Sequence, residues 1–451
     1  MPLRLFCKTF ASLVVVLALL VSGPASAQQS ISLIRDTEVE NIIRGYATPI
    51  FVAAGLDPTN VRIYIVNDRQ INAFVAGGQN LFINSGLLMQ STDANQVIGV
   101  IAHEAGHIAG GHLSRVHEAL ARGTAENILS MVLGAAAALA GRPDIGMAVM
   151  SGGQNVALRN FLQYSRTQES SADAAAMKFL DATGTSARGL STFLGKLADQ
   201  ELLSPVRQDP YLRTHPLSSE RIEALNEFIA HSRYSNVPVN PELQRQHQRM
   251  LAKLRAFLDD PSQTMQRYPS SDTSEEARYA RAIAQHRSSD FKTALATIDG
   301  LIAEHPGDPY YHELKGQMLF ETGRPKEAVE SYQKAVKLLP DAPLIRLDLA
   351  RAQLATNDPA MLPGAVENLR ASVAREPNRP FVWRQLAIAY GRSGDEADSA
   401  LALAEEAMLL NKPADARYHA GKAERLLPTG SPGWMQAQDI IAAVDVAHDN
   451  E

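Results

Sequence analysis

Apolar and polar residues in the first third of the chain follow patterns that predict a small sheet. Residues 61–66 alternate between polar and apolar side chains, as in a half-buried strand. Residues 72–75 and 80–83 are two further apolar segments separated by a pair of glycines, which predicts a hairpin. This hairpin has two interpretations: a purely structural element, or an edge strand that holds an extended peptide.

A helix with one apolar side is expected directly after this hairpin. Asp93 or Thr92 can cap its first turn, because their side-chain oxygens can accept a hydrogen bond from a free backbone N–H group. Residues recurring at helical spacing then form a side for burial. This apolar side comprises Val97, Ile98, Val100, Ile101 and Ile108.

The N-terminal residues form a targeting segment. Arg4 and Lys8 precede a short apolar run at residues 13–21, and the small residues 25–27 form a cleavage signal. We therefore expect a signal peptide at residues 1–27, cleaved near Ala27, and export of the remaining chain. A retained membrane anchor is the alternative, although the apolar run is short for a membrane span.

A second apolar segment lies at residues 128–150. Its two apolar parts flank Gly141-Arg-Pro-Asp144, which predicts a helical hairpin. Each arm is too short to cross a bilayer. Burial in the core is one interpretation, and peripheral contact with a membrane or a nonpolar client is the other.

Small and apolar residues recur with a period near 34 beyond residue 273, which indicates tetratricopeptide-like helix pairs. With Pro309 as the first position of one repeat, Gly316 takes position 8 and Ala328 takes position 20. Small residues there let paired helices approach closely. The period slips by three residues near residues 359–361. We expect a solenoid whose concave face binds protein, or one that only covers the preceding domain.

These patterns predict two domains joined by a helix. Residues 28–235 form a mixed α+β domain, mostly helical with a small sheet. Residues 236–273 form a connecting helix and linker, which opens with an Asn-Pro cap at residue 240. Residues 274–451 form an all-α repeat domain. A chain of 451 residues has room for separate cores of this kind.

Composition excludes some partners. The net charge of −6 is mild and no dense basic tract occurs, which argues against nucleic acid as a partner. The single cysteine, Cys7, lies within the predicted signal peptide. The mature chain would then form no disulfide, which suits export without oxidative help but does not prove it.

The residues with the most informative chemistry are His103-Glu104-Ala105-Gly106-His107. Histidines at i and i+4 share one helix face, so both imidazoles can reach one metal ion. The carboxylate of Glu104 lies beside the first ligand and can take a proton from a water that zinc has made more acidic. The alternative is a helix with two surface histidines.

The third ligand has two candidates. In the pattern HExxHxxGxxH the last position would fall on Leu113, and His112 lies one residue short of it. The two glycines before His112 could end the helix and bring it back, but a surface histidine is the favoured interpretation.

The favoured third ligand is a glutamate further along the chain. Glu169 and Asp173 lie four residues apart on a predicted helix and therefore share one face. Glu169 can bind zinc while Asp173 orients a ligand histidine from outside the metal site. The alternative is an acidic, solvated helix face.

With these motifs, the chain resembles the glutamate-zincin metallopeptidases, which include the CAAX prenyl peptidases and HtpX. The matching segments are HEAGH, QESSAD, Thr-His-Pro at residues 214–216 with Arg221, and residues 72–88 before the zinc helix. The resemblance covers roughly residues 35–230. It implies a zincin-like metallopeptidase with one Zn²⁺ per chain.

The same resemblance assigns roles to individual residues. It implies His103, His107 and Glu169 as zinc ligands, Glu104 as the catalytic base and Asp173 in a supporting acid role. His215 becomes a loop histidine near the metal.

His215 then has three alternatives. It can donate a hydrogen bond to the developing oxyanion, occupy the fourth position as a latch, or be a buried loop histidine. Arg221 becomes a structural or substrate-side partner.

The signal segment, the metallopeptidase-like domain and the repeats together resemble a family of periplasmic peptidases of Gram-negative bacteria. This likeness implies unfolded or stalled outer-membrane proteins as substrates. It also implies contact with the outer-membrane assembly machinery through the repeats, and a role in protein quality control. The alternative function is a chaperone or scaffold whose zinc site is latched or mainly structural.

Overall fold

In the computed structural model, the described part of the chain comprises residues 32–112, 166–198, 211, 215 and 217–449. The predicted signal peptide at residues 1–27 and the apolar segment at residues 128–150 lie outside these ranges. Within them, no helix is both long enough and apolar enough to cross a membrane.

The sheet is small, and its pairing confirms the predicted strand and hairpin. β2 and β4 pair in parallel, and β3 pairs with β4 in antiparallel, so β4 lies between β2 and β3. One side of the sheet is buried through residues such as Ile65, Leu81 and Ile83. The strands are β1 (Leu33–Ile34), β2 (Arg62–Val66), β3 (Ala73–Ala76) and β4 (Asn80–Asn84).

Helices pack against the buried side of the sheet and form the first core. α1 begins at a cap in which Asp36 accepts a hydrogen bond from the Val39 N–H group at 2.9 Å. The expected cap of α3 is Asp93, which accepts from the Gln96 N–H group at 3.1 Å. The helices are α1 (Thr37–Ala53), α2 (Ser85–Gln90), α3 (Ala94–Ala109), α4 (residues 166–182), α5 (Arg188–Ala198) and α6 (Ser219–His231).

The connecting helix α7 (Pro241–Leu258) begins at the predicted Asn-Pro cap. Asn240 caps it and Pro241 is its first residue. Its apolar residues belong to two cores: Met250 and Leu254 pack into the first, while Ala252 and Ala256 pack into the next. α7 is therefore a shared structural element. The predicted domain boundaries on either side of it stay predictions.

Beyond α7 the chain forms successive helix pairs, which confirms the expected all-α repeats. Small residues lie where helices meet: a Cβ on Gly316 would lie 2.9 Å from the Tyr332 ring. A 3-10 helix (Pro359–Met361) occupies the predicted slip. The helices are α8 (Pro261–Arg267), α9 (Glu275–Arg287), α10 (Phe291–Glu304), α11 (Pro309–Glu321), α12 (Pro325–Leu338), α13 (Pro343–Ala355), α14 (Leu362–Arg375), α15 (Pro380–Arg392), α16 (Glu396–Leu409), α17 (Pro413–Leu426) and α18 (Pro432–Asp449).

Buried charges join the repeats to the first domain. Arg249 of α7 pairs with Glu38 of α1 at 2.5 Å and with Asp308, at the start of α11, at 2.9 Å. The Tyr279 hydroxyl of α9 donates to the same Glu38 at 2.9 Å. Lys253, also nearly fully buried, pairs with Asp36 at 2.7 Å. These contacts hold the first repeats against the N-terminal end of α1.

Candidate metal centre and active site

α3 places three functional side chains in the protein interior. His103 and Glu104 are fully buried, and His107 is 7% exposed. The helix is buried because its apolar residues pack into the first core, and the motif lies in its last two turns. The alternative of two surface histidines is therefore wrong.

A close helix crossing brings the acidic residues to these histidines. Gly106 lies within the HExxH motif, and a Cβ at this position would lie 2.8 Å from the Ala172 carbonyl oxygen of α4. Without a side chain at Gly106, the two backbones can approach closely. Glu169 and Asp173 lie on α4 on either side of this crossing, and both are buried. The alternative of a solvated acidic face is wrong.

Four side chains converge on one point. His103, His107, Glu169 and His215 each offer a ligand atom, and these atoms lie within 4.8 Å of one another. From His103 Nε2 the distance is 3.1 Å to His107 Nε2, 3.3 Å to His215 Nδ1 and 3.3 Å to Glu169 Oε2. Glu169 Oε1 lies 3.4 Å from His107 Nε2 and 3.2 Å from His215 Nδ1.

These spacings suit a tetrahedral metal site. Zinc–nitrogen bonds of about 2.0 Å place neighbouring ligand atoms of a tetrahedron about 3.3 Å apart. Three imidazoles and one carboxylate are also a donor set that zinc accepts. The arrangement of the four side chains therefore fits a metal ion.

Asp173 and Arg221 hold the site from outside. Asp173 Oδ1 accepts a hydrogen bond from His103 Nδ1 at 2.8 Å, which directs Nε2 toward the other donors. Arg221 donates to Asp173 Oδ2 at 2.5 Å and lies 3.0 Å from Glu169 Oε2. Arg221 is 4% exposed, so it is a structural partner of both carboxylates.

Tyr211 supports His215. The His215 N–H group donates to the Tyr211 carbonyl oxygen at 2.7 Å, and the two rings lie 4.7 Å apart. The Tyr211 N–H group donates to the Ile71 carbonyl oxygen at 3.2 Å, just before β3. Tyr211 is fully buried against Phe193. No sequence motif marks Tyr211, and its role was missed.

The interpretation of His112 as a surface histidine is wrong, because its side chain is only 4% exposed. α3 ends at Ala109, and Gly111 then adopts a positive φ of 61°, which turns the chain back. His112 Nδ1 consequently lies 2.9 Å from His107 Nδ1. His112 is next to a ligand histidine but outside the four-residue cluster.

Glu104 lies beside the cluster but does not belong to it. Within the described ranges, neither carboxylate oxygen of this fully buried residue has a hydrogen-bond partner. His215 Nε2 lies 3.4 Å from Glu104 Oε1. A buried carboxylate without a partner costs stability and is rare outside functional sites. Burial also raises the pKa of Glu104.

The electrostatic environment keeps His107 neutral and favours a positive charge on His103. Burial, followed by the neighbouring His103 and His215, lowers the pKa of His107 to about 2. Burial also opposes protonation of His103, but hydrogen bonds to Asp173 and Glu169 outweigh it and raise its pKa to about 10. The proton on His103 and a metal ion compete for Nε2, so the carboxylates that stabilise one stabilise the other.

Comparison with known proteins defines the class of both domains. Residues 34–229 match peptidase family M48, and residues 279–343 match the tetratricopeptide repeat. Together with the buried cluster, these matches define the chain as a metallopeptidase with C-terminal repeats. Its catalytic domain belongs to peptidase family M48.

The chain is similar to curated proteins over most of its length. It is 27% identical over 393 residues to the beta-barrel assembly-enhancing protease of Yersinia pestis, covering 85% of this chain and 78% of the relative. It is 25% identical over 333 residues to the protein of that name in Escherichia coli strain K12, and the match covers 73% of this chain and 68% of that relative. The metalloprotease LoiP of the same strain is 32% identical over 173 residues, covering 38% and 64%.

Solved structures are similar to part of the chain. The TPR protein YrrB is 17% identical, with a TM-score of 0.32, and the match covers 39% of this chain and 91% of YrrB. MamA is 14% identical, with a TM-score of 0.28, and the match covers 38% of this chain and 95% of MamA.

Proposed function

We propose that the chain is a zinc-dependent endopeptidase that acts in the quality control and assembly of outer-membrane proteins. The observation that carries this proposal is a set of four donor atoms within 4.8 Å of one another, beside the buried carboxylate of Glu104. His103, His107 and Glu169 would hold the ion, one per chain. Zinc supplies Lewis-acid chemistry when bound, because it makes a water acidic and polarises a carbonyl group.

Glu104 acts as the general base in this proposal. Its two oxygens lie next to the cluster without a hydrogen-bond partner among the described residues, so they remain available to receive a proton. Burial raises the pKa of the carboxyl, which makes it a stronger base than an exposed glutamate. Asp173 has the supporting role in this proposal, because its hydrogen bond to His103 Nδ1 fixes the orientation of that ligand.

His215 occupies the fourth position of the cluster in this proposal. Its Nδ1 lies as close to Glu169 and His103 as the other donor atoms do. Four protein ligands are typical of a closed site, whereas catalytic zinc sites keep one position open. His215 therefore acts as a latch that must leave before cleavage. The oxyanion role is the alternative, because Nε2 faces the Glu104 carboxylate.

The sheet offers a surface for an extended substrate. β3 is an edge strand in the described sheet, and it contacts α3. A peptide that pairs with β3 would lie along the helix that carries the two ligand histidines. Unfolded outer-membrane proteins present extended segments of this kind, so they suit this surface as substrates.

The repeats would recruit clients or the outer-membrane assembly machinery. Part of the surface of the repeats contacts the first domain, because Glu313 accepts a hydrogen bond from Thr37 and Glu376 pairs with Arg35. The later helices keep exposed apolar residues: Phe381 on α15 is 48% exposed and Tyr418 on α17 is 67% exposed. These side chains are the proposed contacts with client segments.

Export to the periplasm completes this proposal. Three features support it: the sequence pattern of a signal peptide at residues 1–27, the absence of cysteine beyond residue 7, and the names of the relatives from Yersinia pestis and Escherichia coli, which refer to beta-barrel assembly. A peripheral membrane contact through residues 128–150 stays a prediction.

The experiment that tests this function measures cleavage of an unfolded outer-membrane protein. The full mature chain should degrade it, a chelator should stop the reaction, and added zinc should restore it. A folded soluble protein serves as the control substrate and should stay intact. Degradation that continues at the same rate after the protein has been shown to be metal-free contradicts the proposal.

A second experiment tests the repeats. In the full-length chain, Phe381→Ser with Tyr418→Ser should weaken client binding while leaving cleavage of a short unstructured peptide unchanged. Leu338→Ser on α12, where the residue is 40% exposed, is the matched control. Equal client affinity in all three proteins counts against recruitment by α15 and α17.

The second candidate function is a chaperone or scaffold with a mainly structural metal. The closed set of four protein donors favours it over an open enzyme site. It predicts that unfolded clients are held without cleavage under every condition in which zinc is bound.

A further inference from the structure

His112 is the outer partner of the second ligand histidine. Its Nδ1 lies 2.9 Å from His107 Nδ1, and the two rings are nearly perpendicular, at 81°. His107 Nε2 faces the cluster, so a neutral, metal-binding His107 must carry its proton on Nδ1. That proton then points at His112 Nδ1, which must be the acceptor.

We infer that His112 is a positioning residue that holds His107 in the orientation and tautomer needed to bind metal. This inference rests on the proposed metal site. His112 does for His107 what Asp173 does for His103, since each accepts from the Nδ1 atom of its histidine. The two partners differ in charge. Asp173 is an anion, whereas His112 is a neutral imidazole when it accepts this hydrogen bond. His112 can therefore fix the orientation of His107 without adding a second negative charge beside the ligands.

The backbone around His112 is built for this contact. Gly111 has a positive φ of 61°, which favours glycine and reverses the chain after α3. The Gln168 amide donates to the His112 carbonyl oxygen at 3.3 Å and is adjacent to Glu169 in α4. The loop that carries His112 is therefore tied to the same helix turn that supplies the carboxylate ligand.

The absence of a side chain at Gly110 leaves space for the His112 ring. A Cβ at Gly110 would lie 2.4 Å from His112 Nε2 and 2.8 Å from Cδ2. The backbone of Gly110 is right-handed, with φ of −73° and ψ of −11°, so alanine suits it without strain. Gly110→Ala should therefore displace the His112 ring while leaving the residue in the chain.

Zinc affinity of the metal-free protein, measured by competition with a chelator, tests the inference. His112→Leu removes the acceptor and leaves a buried N–H group on His107 without a partner. We expect zinc binding to weaken by about 10- to 100-fold, the usual loss for an outer partner. Gly110→Ala should weaken it in the same direction. His231→Leu, at an exposed histidine on α6, should bind like wild type.

The rescue variant is His112→Asn. The asparagine Oδ1 atom is two bonds from Cβ, as Nδ1 is, so it can accept the same hydrogen bond. We expect zinc affinity within about threefold of wild type and an unchanged melting temperature of the metal-free protein. Should His112→Leu fail to fold, Gly110→Ala provides the test.

Two results overturn the inference: wild-type zinc affinity in both His112→Leu and Gly110→Ala, or equal losses in His112→Asn and His112→Leu. Wild-type protein that binds no zinc instead contradicts the metal site itself. Failure of the proposed function and failure of the role of His112 are therefore distinguishable.

Discussion

Gly106 and Ala172 lie at the point where two helices cross, and a Cβ on Gly106 would be 2.8 Å from the Ala172 carbonyl oxygen. α3 carries the ligand histidines and α4 carries Glu169, so the spacing of these two backbones sets the spacing of the donor atoms. A glycine inside the HExxH motif is thus part of the geometry of the site.

Gly106→Ala should separate the two helices. We expect it to destabilise the protein by about 1–3 kcal/mol, as overpacking of a core does, and to weaken zinc binding. Gly195→Ala in α5 is the control, because an added Cβ there meets no neighbouring element within 4 Å in the described part of the chain. That change should leave zinc affinity unchanged. Calorimetric unfolding and zinc titration of both variants check this, and unchanged zinc affinity in Gly106→Ala contradicts the role of the crossing.

Arg249→Met should weaken the attachment of the repeats to the first domain. Arg249 is 6% exposed and pairs with Glu38 and Asp308, so its removal takes a cation from two largely buried carboxylates. Breaking a buried pair in this way costs about 3–5 kcal/mol. Arg278→Met is the control, since its pair with Glu304 lies near the surface and is worth about 1 kcal/mol or less. Denaturant unfolding that gives similar losses for both variants refutes this expectation.

His247→Gln should flatten the acid side of the stability profile. Burial lowers the pKa of His247 to about 4 from an ordinary value of 6.5. Between these values the unfolded chain binds more protons than the folded one, so the free energy of unfolding falls as pH drops from 6.5 to 4. The loss is of the order of 1–3 kcal/mol. Gln keeps a polar group for Ser91, 3.2 Å away, but does not titrate.

Denaturant unfolding at several pH values checks this expectation. His231→Gln is the control, because this histidine is exposed and should leave the profile unchanged. If wild type and His247→Gln lose stability in parallel below pH 6.5, His247 is not the group responsible.

His215→Ala should raise basal proteolysis of an unfolded protein. Removing the imidazole opens the fourth position of the cluster, and the remaining three donors still suit a catalytic zinc site. X-ray absorption of the zinc-loaded proteins should detect three imidazoles in wild type and two in the variant. Lower activity with zinc retained would support the oxyanion role instead, and unchanged activity would remove His215 from the mechanism.

Sequence predicted much of the fold because its signals are local. Alternation in residues 61–66, the cap at Asp93 and the Asn-Pro start of α7 each depend on nearby residues, and each is confirmed. The three-residue slip near Pro359 also appears as a 3-10 helix. The HExxH and ExxxD spacings predicted which side chains share a helix face, because each motif lies within one helix.

The remaining parts of the site depend on distant contacts. His112 returns to His107 only because the chain reverses at Gly111, and a helical pattern places it elsewhere. Tyr211 contacts His215 through its backbone carbonyl group and its ring, and no sequence motif indicates this contact. The place of His215 depends on a loop whose path sequence spacing does not determine.

Glu104→Gln tests the central claim most directly, with zinc content and cleavage of an unfolded outer-membrane protein measured on the same preparation. The amide keeps the shape of the buried side chain but cannot accept a proton, and general-base catalysis contributes about 10²- to 10⁴-fold. We expect one zinc per chain in both proteins and a loss of cleavage of that size in the variant. Wild-type cleavage by a zinc-loaded Glu104→Gln protein would contradict the account.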